Sequence, residues 1–242
     1  RTPGHPEIEL ALLKLYTITK NADYLRLART FIEKRGRDLL YGLHLLQQKS
    51  DFTAHQKLVE QQRIDRNLPS DPALGVDFTQ PPQVKTPKWL QVRVYAAYLT
   101  GKCLQQHTPI RKMKKPEGHA VRWGYLMAAV AKLVHLSHDL SLLPTMERSW
   151  NHMVERRMFV SGGVGSIPVL EGFGFDYELD SFYAYCETCA AIATFLWSWE
   201  LLQITRNARY ADLMEWQLYN AISVGMGQTG STYLYENPLA ID

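Results

Sequence analysis

The chain reads as an all-α protein built from αα-hairpins, and three observations carry that reading. Apolar residues recur at helical spacing in three pairs of segments. Each pair is joined by a turn too short for anything but antiparallel neighbours. The intervals between the pairs are irregular, which disfavours a regular solenoid and points to a helical toroid. The first pair runs from about Glu7 through Leu10, Leu13 and Tyr16, turns at residues 20–23, and returns through Tyr24, Leu27, Ala28 and Phe31 to Gly36. The second starts near Gly118, passes Val121, Tyr125, Ala129 and Leu133, turns near His138, and returns through Leu142, Met146, Trp150 and Met153. The third starts near Glu187, passes Ala190, Ala193 and Trp197, turns at residues 205–207, and returns through Tyr210, Leu213, Trp216 and Leu218.

Between these pairs the pattern changes. Residues 48–87 are polar and hold Pro69, Pro72, Pro81, Pro82 and Pro87, a surface excursion on composition. Residues 89–105 read as locally ordered, with no role assigned by their pattern. The stretch from Phe159 to Gly165 is an apolar lead into a glycine turn, without the lysine and hydroxyl residue of a phosphate loop.

Composition narrows the functional classes. The 242 residues are 46% hydrophobic and 21% charged, the balance of a soluble globular protein long enough to bury a sizeable core, and one domain is expected over 1–242. A net charge of +3, with no basic patch interleaved with aromatics, gives no reason to expect nucleic acid. No apolar run reaches the length of a membrane span and no signal peptide is present, so no membrane partner is expected. Three cysteines, Cys103, Cys186 and Cys189, build no disulfide framework, which leans toward a reducing, cytoplasmic compartment.

The stretch from Glu171 to Ala190 carries the chemistry. Phe173, Phe175, Tyr177 and Leu179 alternate with polar residues, the period of an extended segment with one buried face. Glu171 shares their parity, so burial beside aromatics is expected to raise its pKa toward that of a general acid. Asp176, Glu178 and Asp180 fall on the opposite, solvated face. Glu187 and Cys189 lie two residues apart and straddle the start of a helix, where exposed N–H groups favour both anions. A carboxylate and a thiolate together suit Zn²⁺; a capping Glu beside a small buried Cys is the plainer account. His5 and His119 also stand at starts of first helices, so the hairpins would bring all these groups to one mouth. The remaining polar residues read more simply: His107 as a surface residue, His152 as a helix-face residue, Lys112, Lys114 and Lys115 as a solvated run, Arg122 as a helix-face ion pair, and Trp197 with Trp199 as core.

Taken in order, Gly4 to Ala11, Glu117 to Arg122, Val160 to Gly165, Glu171 to Ala190, and Ala208 to Asp212 with residues 218–220 resemble the catalytic domain of glycoside hydrolase family 127, the β-L-arabinofuranosidases. The resemblance implies an (α/α)6 barrel of which the three hairpins supply about half, and a retaining hydrolysis of non-reducing-end β-L-arabinofuranosides of small-molecule or oligosaccharide substrates. It implies Glu171 as general acid/base, Glu187 and Cys189 as two of four zinc ligands, and His5 and His119 as sugar contacts. The other two ligands, an adjacent Cys-Cys pair that includes the nucleophile, do not occur before Asp242, so a truncated chain is expected. Residues 85–106 do not fit the family pattern and read as an insert. Two other readings are a metal-free α/α-toroid carbohydrate enzyme, such as an uronyl hydrolase or epimerase, and a non-enzymatic helical-repeat interaction module.

Overall fold

The computed structural model describes residues 2–38, 41, 42, 44, 57–59, 61, 62, 64, 65, 87–182 and 184–240. The proline-rich excursion at 48–87 falls almost wholly outside these residues. Among them are seven α-helices: α1 Glu7–Thr19, α2 Ala22–Lys34, α3 Lys88–Leu99, α4 Ala120–Ser137, α5 Leu143–Arg156, α6 Thr188–Thr205 and α7 Ala208–Gln217. Extended backbone is confined, among the described residues, to isolated bridges such as His119 with Gly172 and Met158 with Val164.

The three predicted hairpins are α1/α2, α4/α5 and α6/α7, and their turns share one local device. A left-handed residue stops the first helix: Lys20 (φ 57°), His138 (φ 56°) and Arg206 (φ 57°). The next residue then opens the return. Asn21 Oδ1 accepts from Asp23 N at 2.9 Å, Asp139 Oδ1 from Ser141 N at 3.1 Å, and Asn207 Oδ1 from Arg209 N at 3.2 Å. Each side-chain acceptor satisfies an otherwise unpaired N–H, so the first and third reversals take only two residues, while Asp139 caps a 3-10 turn, Leu140–Leu142, that leads into α5.

Helix α4 is the centre of the fold and packs on α1, α5 and α6. Trp123, Leu126, Met127, Ala128, Val130 and Ala131 are all buried, so little of the helix surface reaches solvent. Gly124 permits the close approach of α6, because a Cβ there would lie 2.6 Å from the Ala193 methyl. Two polar contacts cross this core: Trp150 Nε1 donates to Ser198 Oγ at 2.9 Å, and Gln217 Nε2 to Thr194 Oγ1 at 2.8 Å. A fully buried ion pair, Arg35 Nη2 to Glu9 Oε1 at 2.6 Å, ties α2 to α1.

Residues 88–106 form α3 and a turn that packs against the rest of the chain. Leu90, Ala97 and Cys103 cluster with Ile167 and Leu170, directly before Glu171. The expected extended segment after Glu171 is absent. Phe173 is buried, but Phe175 and Tyr177 are each 68% exposed. The chain turns there instead: Glu178 N donates to Phe175 O at 3.1 Å, and Tyr177 takes a φ of 62°. Alternating sequence failed as a guide because Asp176 and Glu178 are anchored by side chains from other elements. His152 Nε2 lies 2.8 Å from Asp176 Oδ1, Arg157 Nε donates to it at 2.8 Å, and Arg93 holds Glu178. Asp176 and Glu178 are therefore not the simply solvated groups their parity suggests, and His152 is a partner rather than a lone helix-face residue. Trp197 lies in the core as expected, whereas Trp199 is 44% exposed.

Candidate active site

Three helix starts converge. His5 stands two residues before α1, His119 is the N-cap of α4, and Glu187 is the N-cap of α6. Between them a 3-10 turn, Pro168–Leu170, ends on Glu171 in a left-handed conformation (φ 49°). Backbone bonds hold that residue against α4: Ala120 N donates to Glu171 O at 2.9 Å, and Phe173 N to Gly118 O at 2.9 Å. Glu171 Oε2 then lies 2.8 Å from His119 Nε2, and Glu171 Oε1 accepts from the Tyr185 hydroxyl at 2.9 Å. Ligand-type atoms of His119, Glu171 and Glu187 all lie within 4.8 Å of one another. Cys189 Sγ is in contact with Glu187 Oε1. His5 stands slightly apart, its Nδ1 3.2 Å from Glu7 Oε2 and its ring centroid 6.0 Å from that of Tyr125.

The electrostatics divide the carboxylates. Glu171 is held below the ordinary carboxylate pKa, first by the hydrogen bond from His119 and against the pull of burial, with Tyr185 adding to the effect. This reverses the expectation from the aromatic surroundings, because a positioned donor outweighs desolvation. Glu187 is raised, chiefly by burial. Cys189 is pushed up to about 12 by burial and then by the Glu187 carboxylate beside it. Burial also lowers His5, which favours its neutral ring.

Glu187 and Cys189 fit a divalent cation. Glu187 is buried and Cys189 half-buried, both resist ionising without a positive charge nearby, and Glu187 Oε2 is buried without a hydrogen-bond partner. A soft thiolate beside a carboxylate is a zinc donor set. The arrangement also brings the two side chains together, as the reading of a pair at a helix start requires.

Sequence reasoning missed several neighbours. Tyr185 lies within the highlighted stretch but out of phase with its aromatics; its hydroxyl bonded to Glu171 is visible only once the turn is built. Tyr235, on the C-terminal segment, acts on Glu187 by lowering its pKa against the pull of burial, with no signal in the sequence to connect them. Asn237 Nδ2 supports the start of α6 by donating to Cys186 O at 3.1 Å and Thr188 Oγ1 at 2.9 Å. Arg122 points its Nη1 at Cys103 Sγ, 4.0 Å away, rather than at an acidic helix neighbour. His107 is partly buried, with an Nδ1 that has no partner, so it is not the surface residue expected. Lys115 belongs to no free run, since its Nζ lies 3.5 Å from Glu117. Cys186, directly before Glu187, is buried in a cluster with Phe159 and Ala184.

Known proteins resemble the chain along nearly its whole length. A non-reducing end β-L-arabinofuranosidase of Bifidobacterium longum subsp. longum is 34% identical over 237 residues, which is 98% of this chain and 30% of the relative. A crystal structure of a GH127 β-L-arabinofuranosidase from Geobacillus stearothermophilus T6 superposes with a TM-score of 0.73 at 34% identity, over 100% of this chain and 32% of that one. A second solved GH127 β-arabinofuranosidase gives a TM-score of 0.71 at 26% identity, over 99% of this chain and 28% of that one. The chain thus spans about a third of the length of the proteins it matches. The described residues contain no helix long and apolar enough to cross a membrane. The family description "Beta-L-arabinofuranosidase, GH127 catalytic domain" matches residues 1–242, so the chain belongs to glycoside hydrolase family 127.

Proposed function

We propose that this chain is the acid-bearing part of a retaining, zinc-dependent non-reducing-end β-L-arabinofuranosidase. The observation that carries the reading is the meeting of Glu171, His119, Glu187 and Cys189 at one mouth, from helix starts far apart in sequence. Glu187 and Cys189 would hold the zinc, with the two thiols that the family places downstream of Asp242. Zinc bound there would keep coordinated thiols ionised at ordinary pH, which makes a cysteine an effective nucleophile.

Glu171 supplies the proton for the departing glycosidic oxygen and then takes one from water. Its bond to His119 gives that exchange a physical route. The hydrogen bond from His119 stabilises the carboxylate. A sugar hydroxyl that engages His119 would weaken that bond and leave burial to favour the protonated acid. Tyr185 keeps the second oxygen fixed, so the proton stays on the oxygen facing the substrate. His5, neutral and set against Tyr125, is placed to hydrogen-bond the same sugar.

The test uses the protein expressed from its complete gene. Metal analysis should find zinc at one per chain, lost in Glu187→Ala and Cys189→Ala. Glu171→Gln should keep its zinc and lose about 10²–10⁴-fold in turnover on arabinosides with poor leaving groups. Sugar cleavage by metal-free protein, or unchanged turnover in Glu171→Gln, overturns the proposal.

A further inference from the structure

The stretch 88–106 reaches both members of the Glu171–His119 pair. On α3, Arg93 donates through Nη1 to Glu178 Oε1 at 2.6 Å and through Nη2 to Glu178 Oε2 at 2.9 Å. Its guanidinium lies 4.2 Å from the Phe175 ring centroid and 5.7 Å from that of Trp89. Glu178 Oε2 also accepts from Phe175 N at 2.6 Å, so one arginine closes the turn that follows the acid. On the other side of that acid, Ile167 and Leu170 pack with Leu90 and Ala97 of the same helix. The chain beyond α3 grips the histidine. His119 N donates to Cys103 O at 3.4 Å, and buried Gln105 Nε2 lies within 3.3 Å of the carbonyl oxygens of Cys103, Glu117 and His119.

We infer that residues 88–106 brace the acid site, and that Arg93 is a positioning residue acting on Glu171 through Glu178 and Phe175. The inference rests on the reading of Glu171 as the acid. A planar, bidentate ion pair suits this role, because it fixes orientation where a single lysine contact would not. The arginine's partners, Glu178 and Phe175, lie within the turn after Glu171, so its loss should be felt first in that turn. An insert with no part in the site would leave these contacts without consequence for chemistry.

Leaving groups discriminate between positioning of the acid and general structural damage. An alkyl arabinoside needs protonation to depart, whereas a nitrophenyl arabinoside does not. In the protein expressed from its complete gene, Arg93→Met should lower kcat on the alkyl substrate about 10-fold, with KM and zinc content unchanged, the scale expected when a reacting group is slightly misplaced. The kcat/KM of the nitrophenyl substrate, which reports only the step in which the leaving group departs, should change less than about 2-fold. Arg93→Lys should fall between, and the exchange Arg93→Glu with Glu178→Arg should restore part of the loss. Amide hydrogen exchange over residues 171–178 should quicken in Arg93→Met. Equal loss on both substrates, or no loss on the alkyl one, overturns the brace. If Glu171→Gln itself shows no leaving-group dependence, the acid assignment has failed; exchange over 171–178 then decides the brace, and unchanged rates refute it.

Discussion

Removing the Arg35 guanidinium should destabilise the protein far more than any surface charge, and the structure sets the scale. Both side chains of the Glu9–Arg35 pair are wholly inaccessible to solvent. Arg35 Nη2 lies 2.6 Å from Glu9 Oε1 and donates to Pro3 O at 3.0 Å, while Nη1 donates to Leu104 O at 3.3 Å. Glu9 Oε2 has no other partner. In Arg35→Met the carboxylate would stay buried with nothing to offset its lost hydration, which costs about 3–5 kcal/mol. For a chain of this size that is a fall in Tm of about 6–20 °C. Two carbonyls are released as well, one of them in the lead-in to His5 and one in the turn after α3. Glu9→Gln combined with Arg35→Met removes both charges and should recover much of the loss. Urea denaturation of the four proteins of this double-mutant cycle measures the coupling. A single Arg35→Met change below about 1 kcal/mol, or a coupling near zero, would refute the reasoning.

Three further outcomes follow from the same geometry. Gly118→Ala should cost about 2–4 kcal/mol by denaturation, because Gly118 has a φ of 76° and a Cβ there would overlap the Lys102 carbonyl oxygen. Asp176 is held below the usual carboxylate range: burial pulls its pKa up, but hydrogen bonds from His152 and Arg157 overcome that. A depressed carboxylate stabilises the fold above its unfolded pKa near 3.8 and loses that contribution as pH falls through the folded value. Asp176→Asn should therefore be less stable at pH 7 and show a flatter stability profile below about pH 4, checked by thermal melts across pH. In chelator-treated protein the Cys189 thiol, pushed up to about 12, should react with iodoacetamide at pH 8 about 1000-fold more slowly than an ordinary cysteine. Ordinary reactivity of Cys189, read by mass spectrometry, would contradict its enclosure beside Glu187.

The hairpins were legible because their causes are local. Apolar spacing of 3–4 residues marks the buried face of a helix, and a polar capper after a left-handed residue marks the reversal, as at Lys20 with Asn21 and Arg206 with Asn207. Glu187 and Cys189 were readable for the same reason, since a helix start places both within a few bonds of one another. That Glu171 faces His119 was not legible in the sequence, and the reasoning behind its expected ionisation did not hold. Alternation from Phe173 to Leu179 implied a strand, and the segment instead turns under the pull of Arg93, Arg157 and His152.

The amino-acid sequence by itself determined three antiparallel helix pairs, the polar residues at their starts, and the family to which the order of motifs belongs. Tertiary structure alone decided what those residues face. That the Glu171 carboxylate meets His119 and the Tyr185 hydroxyl, that Tyr235 reaches Glu187, and that α3 holds the turn after the acid are contacts between residues 14 to 85 positions apart. Helix propensity and capping act within a few residues, so they declare themselves in the sequence. The ionisation of a buried carboxylate depends on donors only a few ångströms away, and those are chosen by how the hairpins pack.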